Sequence, residues 1–348
     1  MQSIGHGMTQ GKGRAATAVD AFRPAVWLPG PHAQTIAGRL LRRPTPPPFL
    51  RERLDTPDGD FLDIDFPPEP PGTSDDSPLV LLLHGLEGSA RRGYAINVYR
   101  ALAAHGIRAA GLNFRSCSGE PNRTPRFYHS GDTEDIRFVL NFLRDRFPRA
   151  PLGTIGFSLG GNALLKFLGE EGEAAQPKVA CAVAVSVPYD LRAGADQLDA
   201  TRMGRFYTGV FLKSLLQKAD AKAALLVDRC DVERLRAARS FRDFDDAVTA
   251  PLHGFDGAED YYRRSSSHQF LPAIRVPTLL LHAADDPFLP GRHFPRQPVA
   301  SNPYLTALVT ARGGHVGFIG GTPWRPRFWA EETAAAWLAE QLSRDSDR

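Results

Sequence analysis

Thr154-Ile155-Gly156-Phe157-Ser158-Leu159-Gly160-Gly161-Asn162-Ala163-Leu164-Leu165-Lys166-Phe167 carries an apolar run into a glycine-flanked serine and out again into a helical pattern. Strand, tight turn and helix therefore meet at Ser158. That is the layout of a nucleophile elbow, in which a strained strand-to-helix turn lifts a serine hydroxyl above a sheet and flanking glycines let the backbone turn without side-chain clashes. The first amides of the following helix then face the oxygen on which negative charge develops in acyl transfer. The Leu159 N–H is the donor expected there.

Outward from this stretch the chain alternates short unbroken apolar runs with helical patterns. Leu79 to Leu83, Ile107 to Phe114, Leu152 to Phe157, Val179 to Val187, Val276 to His282 and Leu305 to Thr310 read as strands buried on both faces. Tyr94 to Ala104, Thr133 to Phe147 and Leu159 to Leu168 read as the helices between them, which makes the sheet mostly parallel and doubly wound. Before it, Arg51 to Pro57 and Phe61 to Phe66 flank Asp58-Gly59-Asp60 and predict an antiparallel hairpin. An N-terminal hairpin followed by such a sheet is the α/β-hydrolase arrangement. The interval from Leu191 to Leu271 contains helical patterns and no convincing strand, so it predicts an inserted helical cap. The expected division is a flexible leader over 1–21, core over 22–190, cap over 191–271 and core again over 272–348.

A serine hydroxyl is a weak nucleophile without a base beside it and an acid to orient that base. In hydrolase chain order both follow the serine. His315, in the loop Gly313-Gly314-His315-Val316-Gly317-Phe318 after the last strand pattern, is the expected base, with Phe318 packing beneath its ring. Asp286, before Pro287 where the Leu279 to His282 run exits, is the expected acid. Adjacent Asp285 and the earlier Asp190 stay open as alternatives. The second oxyanion donor is expected from Leu86, in the loop His84-Gly85-Leu86-Glu87-Gly88-Ser89, with His84 itself a hydrogen-bonded scaffold residue. In the cap, Phe206, Tyr207, Phe211 and Leu215 share an apolar stripe at helical spacing that would pack the cap core and, above Ser158, line an acyl pocket.

Composition narrows the partners. The 348 residues carry a net charge of +3 with no dense basic block, so nucleic acid is not an expected partner. Cys117, Cys181 and Cys230 are odd in number and widely spaced, as structural thiols in a reducing compartment would be. Met1 to Asp20 is polar and lacks an apolar core, and no run approaches the roughly 20 apolar residues of a membrane helix. A cytoplasmic location is expected, and the Asn122-Arg123-Thr124 sequon should go unused. Asp132, Glu134 and Asp135 fit the first turn of a helix. Neither metal-ligand spacing nor a phosphate-cradling loop is evident, so no cofactor is expected.

Pro31-His32-Ala33-Gln34-Thr35, His84-Gly85-Leu86-Glu87-Gly88-Ser89, Asn113-Phe114-Arg115-Ser116-Cys117-Ser118-Gly119-Glu120-Pro121-Asn122-Arg123, Tyr128-His129-Ser130-Gly131-Asp132-Thr133-Glu134-Asp135 and Gly313-Gly314-His315-Val316-Gly317-Phe318 together resemble the YheT-like branch of the α/β-hydrolase superfamily. The resemblance implies a Ser-Asp-His hydrolase with those roles on Ser158, Asp286 and His315. It further implies a small ester substrate, lipid-like in some relatives, with a short or medium acyl chain. Two rivals stay open: an acyltransferase that passes the acyl group to an alcohol, and a non-catalytic ligand-binding protein on the same scaffold.

Overall fold

The computed structural model describes residues 21–346. All but the last residue of the expected leader therefore lies outside the described residues. Eight strands, β1 (Leu50–Asp55), β2 (Phe61–Phe66), β3 (Leu79–Leu83), β4 (Arg108–Asn113), β5 (Leu152–Phe157), β6 (Cys181–Val185), β7 (Thr278–Ala283) and β8 (Leu305–Thr310), form one sheet in the order β1-β2-β4-β3-β5-β6-β7-β8. β2 pairs antiparallel with both its neighbours, and every other ladder is parallel. This is the hairpin followed by a doubly wound sheet.

The strands from β3 to β7 are buried along their whole length because helices cover both faces. In β3 the period of two divides the side chains cleanly. Leu79, Leu81 and Leu83 pack with α3 (Glu134–Arg146) and α4 (Leu159–Glu171), whereas Val80 and Leu82 face α2 (Gly93–Ala103) and the C-terminal helix Trp329–Ser346. Each such leucine contributes about 1.5–3 kcal/mol, so the central strands form a stiff floor beneath their C-terminal ends.

Several sequence expectations shift at their edges. The Val179 to Val187 run supplies only the strand Cys181–Val185, and at its C-terminal end Ser186 takes φ 52° and turns the chain away. A two-stranded hairpin, β9 (Ile319–Thr322) with β10 (Arg325–Phe328), follows the His315 loop with no alternating pattern to announce it. Asp135 does more than begin a helix: Asp58, Asp60 and Asp135 all accept hydrogen bonds from the buried Arg115 guanidinium. The Asn122 side chain of the sequon is buried and donates to Asp60, so a glycan has no room there in the folded chain.

Between β6 and β7 the chain is helical. It contains α5 (Leu191–Ala200), α6 (Arg202–Ala221), several short turns and the helix Ala258–Ser265. Leu212, Leu215 and Ala219 of α6 gather with Leu226, Leu235 and Phe244 into a separate apolar cluster, joined from the sheet side by Phe127.

Candidate active site

Ser158 stands between β5 and α4 with φ 50° and ψ −116°, a region L-residues avoid, at a cost of about 1–3 kcal/mol. The turn is possible because its neighbours lack side chains. A Cβ on Gly156 would lie 2.6 Å from the Gly160 carbonyl oxygen, and one on Gly160 would lie 2.5 Å from that of His84. The strain leaves the Ser158 hydroxyl pointing off the sheet, 2.9 Å from His315 Nε2.

His315 Nδ1 lies 2.9 Å from Asp286 Oδ2. Asp286 is 1% exposed, and its other oxygen accepts hydrogen bonds from the amides of Phe288 (2.8 Å) and Leu289 (3.3 Å). Burial pushes this carboxyl up, but the charge and hydrogen bond of the facing His315 outweigh it and hold the group below its ordinary value. An ionised Asp286 accepts the Nδ1–H, which leaves the Nε2 lone pair aimed at the serine. Asp285 lies elsewhere, its carboxylate accepting the Gly314 N–H (2.9 Å). Asp190 caps α5 by accepting from the Ala193 N–H (3.0 Å). Of the three aspartates, the structure brings only Asp286 to the imidazole.

The ring beneath His315 is not Phe318. Phe288 stacks on it, centroids 4.1 Å apart and planes 8° from parallel, whereas Phe318 turns into the core against Phe22 and Trp329. Phe318 itself has φ 46°, and its ring folds back under Gly313, where a Cβ would lie 2.8 Å from it, rather than under the imidazole. The loop is also fastened from a distance by α1 (Pro31–Leu41). Thr35 Oγ1 accepts the His315 N–H (2.9 Å), Gln34 exchanges two hydrogen bonds with the Ile319 backbone, and Arg42 just beyond the helix donates to Gly317 O and Glu331. Ser186 Oγ accepts the Val316 N–H (3.0 Å). These supports were not singled out from sequence, although the Pro31 to Thr35 motif marked their location.

Leu86 and Leu159 both border the space above Ser158, and neither backbone N–H has a protein partner among the described residues. His84 is completely buried, and its Nε2 accepts the Phe114 N–H (3.1 Å), so its Nδ1–H donates to Gly85 O (2.7 Å). Burial lowers its pKa to about 3 and keeps it neutral. The Gly85 carbonyl and the Leu86 N–H belong to one planar peptide and point in opposite directions. By holding the carbonyl, His84 aims the amide.

A cavity of about 640 Å³ opens over the serine, a size that suits a small ligand. Ser158 and His315 form part of its wall, and Phe206, Tyr207, Phe211 and Leu215 of α6 form another part. Tyr207 and Leu215 are buried and Phe211 is half-buried, but Phe206 is 56% exposed and sits at the mouth. Tyr207 OH lies 3.1 Å from His32 Nδ1, and its ring lies 5.0 Å from that of Phe288.

Comparison with known proteins places this architecture among relatives. The sequence profile of the alpha/beta hydrolase fold matches residues 78–322. YheT of Escherichia coli (strain K12), an esterase by inference, is 39% identical over 317 residues, covering 90% of this chain and 92% of that one. The monoacylglycerol lipase of Saccharomyces cerevisiae is 36% identical over 286 residues, 80% of this chain and 61% of that one. Phospholipase ABHD3 of Mus musculus is 29% identical over 307 residues, 87% of this chain and 74% of that one. Among solved structures, the esterase Pf2001 of Pyrococcus furiosus superposes with a TM-score of 0.54 at 17% identity, covering 85% of this chain and 92% of that one, a likeness of fold alone.

Proposed function

The chain belongs to the α/β-hydrolase fold family, and on that premise we propose that it is a serine hydrolase cleaving carboxylic esters of short or medium acyl chains through an acyl-enzyme on Ser158. The observation that carries the reading is the unbroken line from Ser158 Oγ to His315 Nε2 and from His315 Nδ1 to Asp286 Oδ2, each step 2.9 Å. Relatives named esterase, monoacylglycerol lipase and phospholipase support an ester, lipid-like in character, as the substrate.

On this reading the steps run as follows. His315 Nε2 takes the hydroxyl proton as Ser158 Oγ attacks the ester carbonyl carbon, and the Leu86 and Leu159 amides receive the negative charge on the carbonyl oxygen. Asp286 stabilises the imidazolium so formed. Collapse of the intermediate breaks the bond to the alcohol, which leaves with the proton from His315. Water then attacks the acyl-enzyme with the same base and the same amides, releasing the carboxylic acid and restoring Ser158.

We assign the 191–271 interval as a cap whose α6 wall selects the acyl chain. No helix among the described residues is long and apolar enough to cross a membrane. The test is a p-nitrophenyl ester series from acetate to dodecanoate, together with labelling by a fluorophosphonate probe. Turnover with labelling confined to Ser158 supports the reading, and a folded protein that does neither sinks it. Product analysis with added alcohol would reveal transfer in place of hydrolysis.

A further inference from the structure

Glu87 follows Leu86 directly and holds φ 53°, a conformation that a non-glycine residue keeps only when its surroundings fix it. The surroundings here are unusually complete. Its N–H donates to Tyr128 OH (2.7 Å), and its carbonyl accepts from Arg92 (2.9 Å). Its carboxylate, 8% exposed, turns away from solvent toward the helical insert. Oε1 accepts from Lys218 Nζ (2.7 Å) and Tyr128 OH (2.8 Å), and Oε2 accepts from Ser214 Oγ.

Ser214 and Lys218 are four residues apart on α6, hence on one face of the same helix. Phe211 and Leu215 of that helix also line the cavity. One element therefore contributes both to the wall over the serine and to the grip on the loop that carries Leu86. The two peptide units flanking Leu86 are each fixed by a different partner. His84 holds the Gly85 carbonyl from the core, and Tyr128 holds the Glu87 amide while sharing the Glu87 carboxylate with α6.

We propose that Ser214 and Lys218 are positioning residues for the oxyanion hole: by clamping Glu87 they set the Leu86 N–H toward Ser158, so that seating of the helical insert completes the site. The inference rests on the reading that the Leu86 amide receives the oxyanion. It makes the insert more than a selector of acyl chains. An insert lifted from the loop would take Ser214 and Lys218 off the Glu87 carboxylate and leave it to Tyr128 alone, loosening the backbone at Leu86 while the Ser158 to Asp286 line stays intact beside a less firmly placed donor.

The test compares an oxygen ester with its thionoester, whose developing sulfur anion accepts hydrogen bonds poorly and so gains little from the hole. Lys218→Met is expected to lower kcat for the oxygen ester about ten- to a hundredfold with KM within about twofold, and to change the thionoester rate far less. Lys218→Arg should restore much of the loss. Ser214→Ala leaves no charge unpaired and should lower the oxygen-ester to thionoester ratio in the same direction by a smaller factor, which keeps the test alive if Lys218→Met does not fold. Equal losses on both esters, or an unchanged ratio in folded variants, would overturn the proposal. Stoichiometric fluorophosphonate labelling in the variants separates the two levels: labelling at Ser158 with an unchanged ratio refutes the clamp alone, whereas absence of labelling in the unmodified protein refutes the serine reading beneath it.

Discussion

Phe288 lies face to face with His315, centroids 4.1 Å apart, and the same ring is 5.0 Å from Tyr207 and 6.1 Å from Phe211. It is thus wedged between the imidazole and the helical insert. Such stacking restrains the histidine ring, an effect of about 0.5–1.5 kcal/mol. Phe288→Leu, which keeps most of the volume, should lower kcat about two- to tenfold with little change in KM, measured by steady-state hydrolysis of a fixed ester. An unchanged kcat would mean that Asp286 alone orients the ring.

Two substitutions at Ser158 separate chemistry from strain. Both Ser158→Ala and Ser158→Gly should lose on the order of 10⁶ in kcat. Only glycine is at ease at φ 50°, ψ −116°, so Ser158→Gly should melt above Ser158→Ala by a few degrees in calorimetry despite its more flexible unfolded chain. Equal melting temperatures would show that the elbow stores little strain.

The three aspartates should separate sharply when each is changed to asparagine. Asp286→Asn is expected to cost roughly 10⁴ in kcat, because the neutral amide no longer stabilises the imidazolium or selects its tautomer. Asp285→Asn loosens the Gly314 amide and should cost far less. Asp190→Asn, still able to cap α5, should leave kcat within about threefold. A dominant loss at either of the latter two would require a different orienting acid.

The α6 wall should read acyl length. Each buried methylene is worth about 0.8 kcal/mol, so a wall that accepts several spreads kcat/KM across the acetyl to octanoyl series by orders of magnitude. Phe211→Ala and Tyr207→Ala should flatten that profile, whereas Phe206→Ala, at the exposed mouth, should affect it least. If all three folded variants keep the original profile, the acyl chain lies along another wall.

The fold was legible because its signals are local. Short apolar runs alternating with helical periods point to a parallel sheet, and a glycine-flanked serine between strand and helix marks its own turn. Ser158 and His315 each stand in such a marked loop. Asp286 and Asp285 were harder to separate, since the position before Pro287 is the one local signal that favours the former, and it is the register of the loop that turns one toward the imidazole and the other toward Gly314. What stayed hidden depends on approaches between distant segments. Phe318 was the nearer aromatic in sequence and Phe288 the nearer in space. Asp63 and Asp65 look like the outward residues of an alternating strand, yet both are buried and answered by Arg53 and Arg51 from β1. Glu87 reads as an ordinary loop acid until α6 is laid against it.

The fastening of the His315 loop to α1 bears on when the protein becomes active during its own synthesis. The Thr35 hydroxyl that takes the His315 amide lies 280 residues earlier in the chain, and Gln34 and Arg42 reach equally far to Ile319 and Gly317. A growing chain that has already formed the Ser158 elbow still carries a serine with no base beside it. That base is seated only when the last third of the polypeptide returns to the first helix, a long-range closure of the kind that forms late. On the serine-hydrolase reading, reactivity therefore waits until the chain has been made through Ile319, and a shorter growing chain remains inert.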